Sequence, residues 1–331
     1  MKNPLLSIIV PIYKAEQYIE KCIVSLMEQT MREGIEFIFI NDCTPDKSMD
    51  ILYDVIRKYP ERMHQIRIIE NDKNKGVSLT RKIGVDIARG DYIGWCDSDD
   101  WVELDMYESL FRATQNGKID IVVCSFYNEQ REKTEQVRYN KCNTPQECII
   151  NCWKGFFFPG SLWQQINRKS LIQRAMNQIV QVDYAEDVYS LLLVYYWASS
   201  IAYIERPLYH YNSLNVLSLV HNTVFTKESW NRQRKNLELI TQILYGNGGK
   251  KIYHVACNAM KYSMKKHFIS SFKNIREYYY TFSECYRDVN YYLFSPNSIK
   301  TYLVYNVYIL FYLYFVKEFK SDYIKNDKSL S

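Results

Sequence analysis

No apolar run in the 331 residues reaches the roughly 18–20 residues that a membrane-spanning helix needs. The nearest, Tyr302–Val316, is short and broken by Asn306. Glycine is scarce, at 11 copies, and none precedes Gly34. A glycine-rich phosphate loop after the first strand is therefore missing, which disfavours a dinucleotide-dependent dehydrogenase and a nucleotidyltransferase. Nine cysteines occur without a CxxC pair or zinc-finger spacing. Cys22, Cys43, Cys96 and Cys124 fall in or beside apolar runs, as small buried hydrophobes do. No secretory leader is read at the N-terminus, so a reduced cytoplasmic setting is expected. Eight prolines with so little glycine exclude a collagen-like or low-complexity chain. An apolar content of 47% is enough to bury a core and excludes global disorder.

Charge is unevenly spread. Residues 1–224 carry 25 Lys/Arg against 29 Asp/Glu, a balance of −4. That segment lacks the cation density a nucleic-acid surface needs, so no nucleic-acid partner is expected. Residues 225–331 carry 17 against 8, a balance of +9, together with 15 of the 30 tyrosines. Tyr278–Tyr280, Tyr291-Tyr292 and the run Tyr302–Val316 are flanked by Lys300, Lys317 and Lys320. Tyrosine beside lysine suits a membrane interface. The expectation is a helical C-terminal region resting on the inner face of the cytoplasmic membrane. Its alternatives are a solvated basic domain, or a helix packed on the rest of the chain or in a homodimer.

The first half alternates strand and helix patterns. Leu6–Tyr13, Ile35–Ile40, Ile66–Ile69, Tyr92–Cys96 and Ile119–Phe126 read as strands. Helical spacing occupies Glu16–Gln29, a segment around Ile51–Ile56, Val77–Ala88 and about Leu104–Asn116. Such alternation implies a largely parallel sheet, whose ligands bind beyond the carboxyl ends of its strands. The segment 129–161 is less regular and is expected to cover the sheet edge. Asp187–Trp197 reads as a helix beginning after Glu186, and Ile201–Tyr211 as a strand broken at Pro207. Beyond Val224 only helical pattern continues. The expected division is residues 1–224 and residues 225–331.

Two polar groups, Asp42 and Asp97–Asp100, lie just past strand ends, where that rule places chemistry, and two more, Arg81 and Glu186-Asp187, stand in or at the start of helices. Asp97-Ser98-Asp99-Asp100 puts three carboxylates in a turn after a buried strand. Their repulsion favours a hard divalent cation, Mg²⁺ or Mn²⁺, with phosphate oxygens in its shell, although a solvated turn or helix cap has the same composition. Asp42 opens a turn after a strand, where it can take a hydrogen bond from a base or ribose, or cap a turn. Arg81 sits one helical turn into the helix that follows Asn74 and Gly76, and its fork can reach a phosphate or a carboxylate of the acidic turn. Glu186-Asp187 stands at a helix start, where the dipole favours ionised carboxylates; Asp187 can serve as a general base or as a cap.

Taken in order, these motifs resemble a family 2 inverting glycosyltransferase of the bacterial polysaccharide-assembly type. The stretches that carry it are SIIVPIYKAEQYIEKCIVSLMEQT, FIFINDCTPDKSMDIL, NKGVSLTRKIGVDIARGDYIGWCDSDDWV and YAEDVYSLLLVYYWASSIAYIERPLYHYN, covering about Pro4–His221. The resemblance implies an α/β GT-A fold, a mostly parallel central sheet flanked by helices, with a C-terminal helical extension. It implies a UDP-sugar donor and a glycan or lipid-linked acceptor. By the same resemblance Pro11, Ile12 and Tyr13 would line the base pocket and Asp42 would hold the base. Arg81 would support the phosphate and acidic-turn region, Asp97 would touch the ribose or the base side, Ser98 would belong to the nucleotide-sugar site, and Asp99 would bind the metal. Asp97 and His221 are further metal candidates. Asp100 would lie toward the donor sugar, and Asp187 would deprotonate the acceptor. Asn41, Cys43, Pro45 and Lys82 depart from the family's frequent residues, which touches base recognition more than catalysis. His210 and Trp163 are candidates for a diphosphate contact and a sugar platform, against packing roles for both. A nucleotidyltransferase on a related fold and a non-catalytic partner subunit remain as alternatives, and intact Asp42, Asp99 and Asp187 speak against the second.

Overall fold

A computed structural model describes residues 3–139, 141–153, 160–182, 185–215 and 226–245, with residues 253, 257, 258 and 261. Among the described residues nine strands form one sheet. Its parallel part consists of β1 (Leu6–Ile12), β2 (Ile35–Asn41), β3 (Ile66–Glu70) and β4 (Tyr92–Trp95), in the order β3-β2-β1-β4. β8 (Gln165–Arg168) runs antiparallel to β4 and joins it to β6 (Ile121–Glu129), which pairs in parallel with β9 (Ile201–Asn212). The two-residue β5 (Trp101–Val102) closes the far side on β9, and β7 (Thr134–Val137) folds back on the outer half of β6. Most paired residues are in parallel register.

The strand sequences explain why the parallel part lies inside. Leu6, Ile8, Ile9, Val10 and Ile12 of β1 are all fully buried, because helices cover both sheet faces and no polar alternation is needed. α1 (Ile19–Met27) presents Ile19, Cys22, Ile23, Leu26 and Met27 to the core at helical spacing. α2 (Ser48–Ile56) packs beside α1. α3 (Val77–Ile87) crosses the face of Ile9 and Ile40, and α4 (Met106–Ala113) brings Tyr107 against Gly94 on the opposite face. The end of α1 is closed by a buried cation. Arg62, in a 3-10 turn over Pro60–Gln65, donates to the carbonyls of Met27 at 3.0 Å and Met31 at 2.9 Å, and also to that of Gln29. These carbonyls would otherwise lack partners inside the protein.

The irregular middle contains β7 and α5 (Pro145–Trp153), and two elements come without a sequence expectation: β8 and α6 (Lys169–Gln178). α7 (Glu186–Trp197) follows, packed on α5 and α6. α8 (Lys227–Tyr245) lies against α7 and adds Trp230, Leu237, Ile240 and Leu244 to the same apolar core. Cys22, Cys96 and Cys124 are buried free thiols, whereas Cys43 is exposed at φ +56° in the turn after β2. Among the described residues no helix is long and apolar enough to cross a membrane. The basic tyrosine-rich stretches from Tyr278 onward lie outside the described residues.

Gly84 tests the packing of α3. Alanine is better than glycine in a helix by about 1 kcal/mol. Here the added carbon would sit 2.5 Å from Ile9 Cγ2 and 3.0 Å from Ile40 Cδ1. Overpacking costs about 1–3 kcal/mol and outweighs propensity. Gly84→Ala is expected to lower the urea midpoint with an unchanged slope, a net loss on the order of 1 kcal/mol.

Candidate active site

The rim begins where β1 and β2 end. Ile12 is buried, Pro11 half-buried, and Tyr13 exposed at 42%, with the Lys14 ammonium 5.3 Å from its ring centre. Lys14 takes φ +53°, and its N–H donates to Thr44 Oγ1 at 2.8 Å. Thr44 and Ser48 hydroxyls both donate to Asp46 Oδ1, at 2.7 and 2.6 Å, while Asp46 Oδ2 takes the N–H of Glu16 at 3.1 Å. One carboxylate thus ties the two turns together. Burial opposes its charge, yet the Ser48 and Thr44 bonds hold Asp46 below the usual carboxylate range.

Asp42 is buried at 3% exposure and faces the loop before α3. Its Oδ1 accepts from Asn71 Nδ2 and the Lys75 N–H, each at 2.8 Å, and its Oδ2 accepts from the Gly76 N–H at 2.9 Å. Gly76 adopts φ +80°, which a side chain would resist. The carboxylate therefore pins the 71–76 loop, using three of its roughly four lone-pair positions.

The three carboxylates of the acidic turn each meet a different partner. Asp97 is half-buried and its Oδ1 accepts from Arg81 Nη2 at 2.5 Å. Asp99 is half-buried and its Oδ2 accepts from Asn215 Nδ2 at 2.7 Å. Burial and then Asp97 push the Asp99 carboxyl above its usual range, against the Asn215 bond. Asp100, expected toward the donor sugar, is instead turned into the fold at 1% exposure. Its oxygens take the Tyr209 hydroxyl at 2.6 Å and the Asn212 N–H at 2.7 Å. Burial, then Asp99 and Asp97, push its carboxyl well above the ordinary range. Ser98 is buried between them. The Tyr209 hydroxyl also accepts the Asp97 N–H at 3.1 Å, and Asn212 Nδ2 donates to the Asp99 carbonyl at 3.1 Å.

Arg81 joins this turn to α7. It is 6% exposed, with Nη2 on Asp97 and Nη1 on Glu186 Oε1. Burial favours discharging the guanidinium, but Asp97, Glu186 and Asp187 outweigh it and raise its pKa. Asp187, beside Glu186, is half-buried and its Oδ1 accepts from the Val188 N–H at 2.8 Å. The helix dipole was expected to keep it ionised. Burial and the charge of Glu186 prevail over Arg81, and its carboxyl is pushed up to about 7. The acidic turn and the α7 start are thus brought to one rim.

Other candidates stay apart from that rim's open carboxylates. His210 stacks between Trp101, at 5.0 Å, and Tyr127, at 4.7 Å, with its nitrogens 2.9 Å from Glu103 and 2.7 Å from Glu129. Trp163 is 8% exposed and stacks on Tyr209 at 4.4 Å and Tyr211 at 5.6 Å, which fills its faces with protein. His221 lies outside the described residues. Sequence reasoning missed the clamp of Tyr209, Asn212 and Asn215, and the ion pair of Glu186. Glu186 carried a signal, standing beside Asp187 at a helix start; the asparagines carried none.

The model for Glycosyl transferase family 2 matches residues 7–185, more than half of the chain. The chain belongs to glycosyl transferase family 2. Among its relatives are two glycosyltransferases of Bacillus subtilis. EpsH is 30% identical over 218 residues, 64% of this chain, and EpsJ 35% identical over 216 residues, 63% of this chain. The matches span 61% of the length of either relative. Staphylococcus aureus TarS 1-349, solved with UDP-GlcNAc, has the same fold, at a TM-score of 0.62 and 18% identity over 86% of this chain and 78% of that one. The α/β GT-A architecture expected for the family is therefore that of this chain. The family match ends two residues before Asp187.

A cation is implied by the family, and the oxygen set at the turn suits one. Among the described residues, no three of His, Cys, Asp and Glu converge to enclose an ion. A partial shell of Asp99 with Asp97 nearby fits Mg²⁺ or Mn²⁺, which retain water and phosphate oxygens.

Arg81→Lys keeps the charge but cannot span both carboxylates, because an ammonium is a point donor and not a fork. It should lower stability by about 2–4 kcal/mol in denaturant titration, since one buried carboxylate is left unpaired. Arg81→Met also removes a positive neighbour, so the Asp187 carboxyl should titrate above about 7 in NMR pH titration.

Proposed function

We propose that the chain transfers a sugar, with inversion, from a UDP-sugar to a hydroxyl of a glycan or lipid-linked acceptor in cell-surface polysaccharide assembly. The observation that carries this reading is the Arg81 bridge, which sets Asp97 and the neighbour of Asp187 on one guanidinium. Donor-side and acceptor-side carboxylates then share one rim. The family match, and the likeness in fold to a protein solved with UDP-GlcNAc, support a UDP-sugar as donor.

In this reading Pro11, Ile12 and Tyr13 line the base pocket. Asp42 holds the 71–76 loop and offers its remaining lone pair to a base N–H. Asp97 and Ser98 form the ribose side. Asp99, with Asp97 and His221 as further candidates, would hold Mn²⁺ or Mg²⁺, which would neutralise charge on a departing diphosphate. Asp187 takes the acceptor hydroxyl proton as that oxygen attacks the anomeric carbon. The bond from that carbon to the diphosphate oxygen breaks, UDP leaves, and configuration inverts without a covalent enzyme intermediate. A base whose carboxyl titrates near neutrality is matched to this task. No step calls for Asp100, which we assign to holding the turn. Residues 1–224 are the proposed catalytic unit. The region past α8 is proposed to rest on an anionic membrane surface in the cytoplasm, supported by its charge balance and tyrosine content.

A panel of nucleotide sugars, read as released UDP with and without Mn²⁺, tests the activity. Asp187→Asn should reduce turnover by about 10²-fold or more while UDP binding stays within twofold. Asp99→Ala should weaken both. Wild-type turnover in Asp187→Asn would remove the base assignment. A base works as the carboxylate, so its activity is present above its pKa. The rate should be flat above about pH 7 and fall toward tenfold per unit below it. The full chain should pellet with anionic liposomes at low salt and be released by high salt; a wholly soluble chain refutes the membrane assignment.

A further inference from the structure

α8 reaches the candidate site from beyond the family match, which stops at residue 185. Asn236 is fully buried on it. Its Nδ2 donates to the Val180 carbonyl at 2.8 Å, and its Oδ1 accepts the Val180 N–H at 2.7 Å. The carboxamide thus does for one residue what a neighbouring strand would do, satisfying both backbone groups at once. Nearly one turn earlier on α8, the fully buried Gln233 accepts the Tyr189 hydroxyl at 2.5 Å.

These contacts bracket the proposed base. Val180 stands between α6 and α7, and Tyr189 ends the first turn of α7, so α8 grips the chain on both sides of Glu186-Asp187. Between the grips Ala185 sits at φ +58°, where a β-carbon is disfavoured. A strained residue persists only where its surroundings over-determine it. Two apolar side chains would fill the α7–α8 interface without the desolvation that Asn and Gln incur. What the carboxamides add is a single register between the helices.

We propose that Asn236, supported by Gln233, is a positioning residue of this transferase: α8 fixes Val180 and Tyr189, on either side of the α7 start, and thereby the direction of the Asp187 carboxylate. The catalytic part of this proposal rests on Asp187 being the base; the structural part does not. On the donor half of the rim, Asp42 pins the 71–76 loop, and the acidic turn meets the α7 start through Arg81, which holds Asp97 and Glu186.

The test compares Asn236→Ala with Leu244→Ala, a core truncation near the end of the same helix, in the full-length chain. A misplacement of about 1 Å can cost about 10²-fold in rate. Asn236→Ala is expected to lower kcat by at least tenfold, with donor KM and UDP affinity within twofold, and to shift the acid limb of kcat against pH. Leu244→Ala is expected to lose stability and retain kcat and the limb. Hydrogen exchange without substrate should accelerate in peptides from 179–189 for Asn236→Ala only. Unchanged exchange there overturns the proposal, as does a kcat that falls equally in both variants or in neither. Should wild type turn over no nucleotide sugar, the transferase reading fails, and the exchange comparison still decides whether Asn236 holds this segment.

Discussion

A buried guanidinium holding two carboxylates from distant parts of the chain is the constraint on which the rest of the site depends. Arg81 and Glu186 are 105 residues apart, and Asp97 belongs to a third segment. A lone cation buried to this degree would be severely destabilising, and so would either carboxylate left without it. The three are stable only together. The separation between the acidic turn and the α7 start is therefore fixed by electrostatics as well as by packing. The same guanidinium reaches Asp187 through space and pulls its carboxyl down, while burial and Glu186 pull it up. The proposed base sits near neutrality because burial and Glu186 outweigh the guanidinium, which keeps the rise from going further.

The acidic turn solves a related problem by division. Three carboxylates in four residues cannot all face one another unscreened. Asp97 goes to Arg81, Asp100 goes inward to Tyr209 and Asn212, and Asp99 is held at the rim by Asn215. All the inward partners come from the end of β9 and the residues just after it. β9 itself is anchored by pairing along β6 and by the stacking of Tyr209 on Trp163. Trp163 thus serves the site at second hand. It supports the tyrosine that orients the turn, and its own faces are occupied.

What could be read in the sequence follows from which forces are local. Continuous apolar runs bounded by turns marked β1 to β4 and β6, and helical spacing marked α1 to α4 and α7, because burial on both faces writes itself into adjacent residues. β8 was invisible: Gln165, Asn167 and Arg168 look like loop, yet the strand is buried between β4 and β6. β5 is too short to carry any period. At the site, residue types and spacing indicated which carboxylates matter but not where each points. Asp42 could serve a nucleotide or a turn, and the donors that occupy it lie some thirty residues on, in the 71–76 loop. The dipole argument for Asp187 used only its own helix. The charge of Glu186 was legible beside it, but the burial that outweighs the dipole exists only once the segments meet. Cys43 shows the same limit, since its neighbours suggested burial and its positive φ put it outside.

Charge counting and packing describe different surfaces of the C-terminal region. The excess of lysine and arginine begins near residue 225, and that is a property of what faces solvent or an anionic neighbour. The apolar core does not stop there. Trp230, Leu237, Ile240 and Leu244 recur at helical spacing and are buried in the core that α8 shares with α7, with Gln233 and Asn236 on the same buried side. α8 therefore turns this apolar face inward, and Tyr245 at its end stays exposed. A helix that opens the basic stretch is thus part of the same core as α7, and through Asn236 and Gln233 it holds Val180 and Tyr189 on either side of the α7 start.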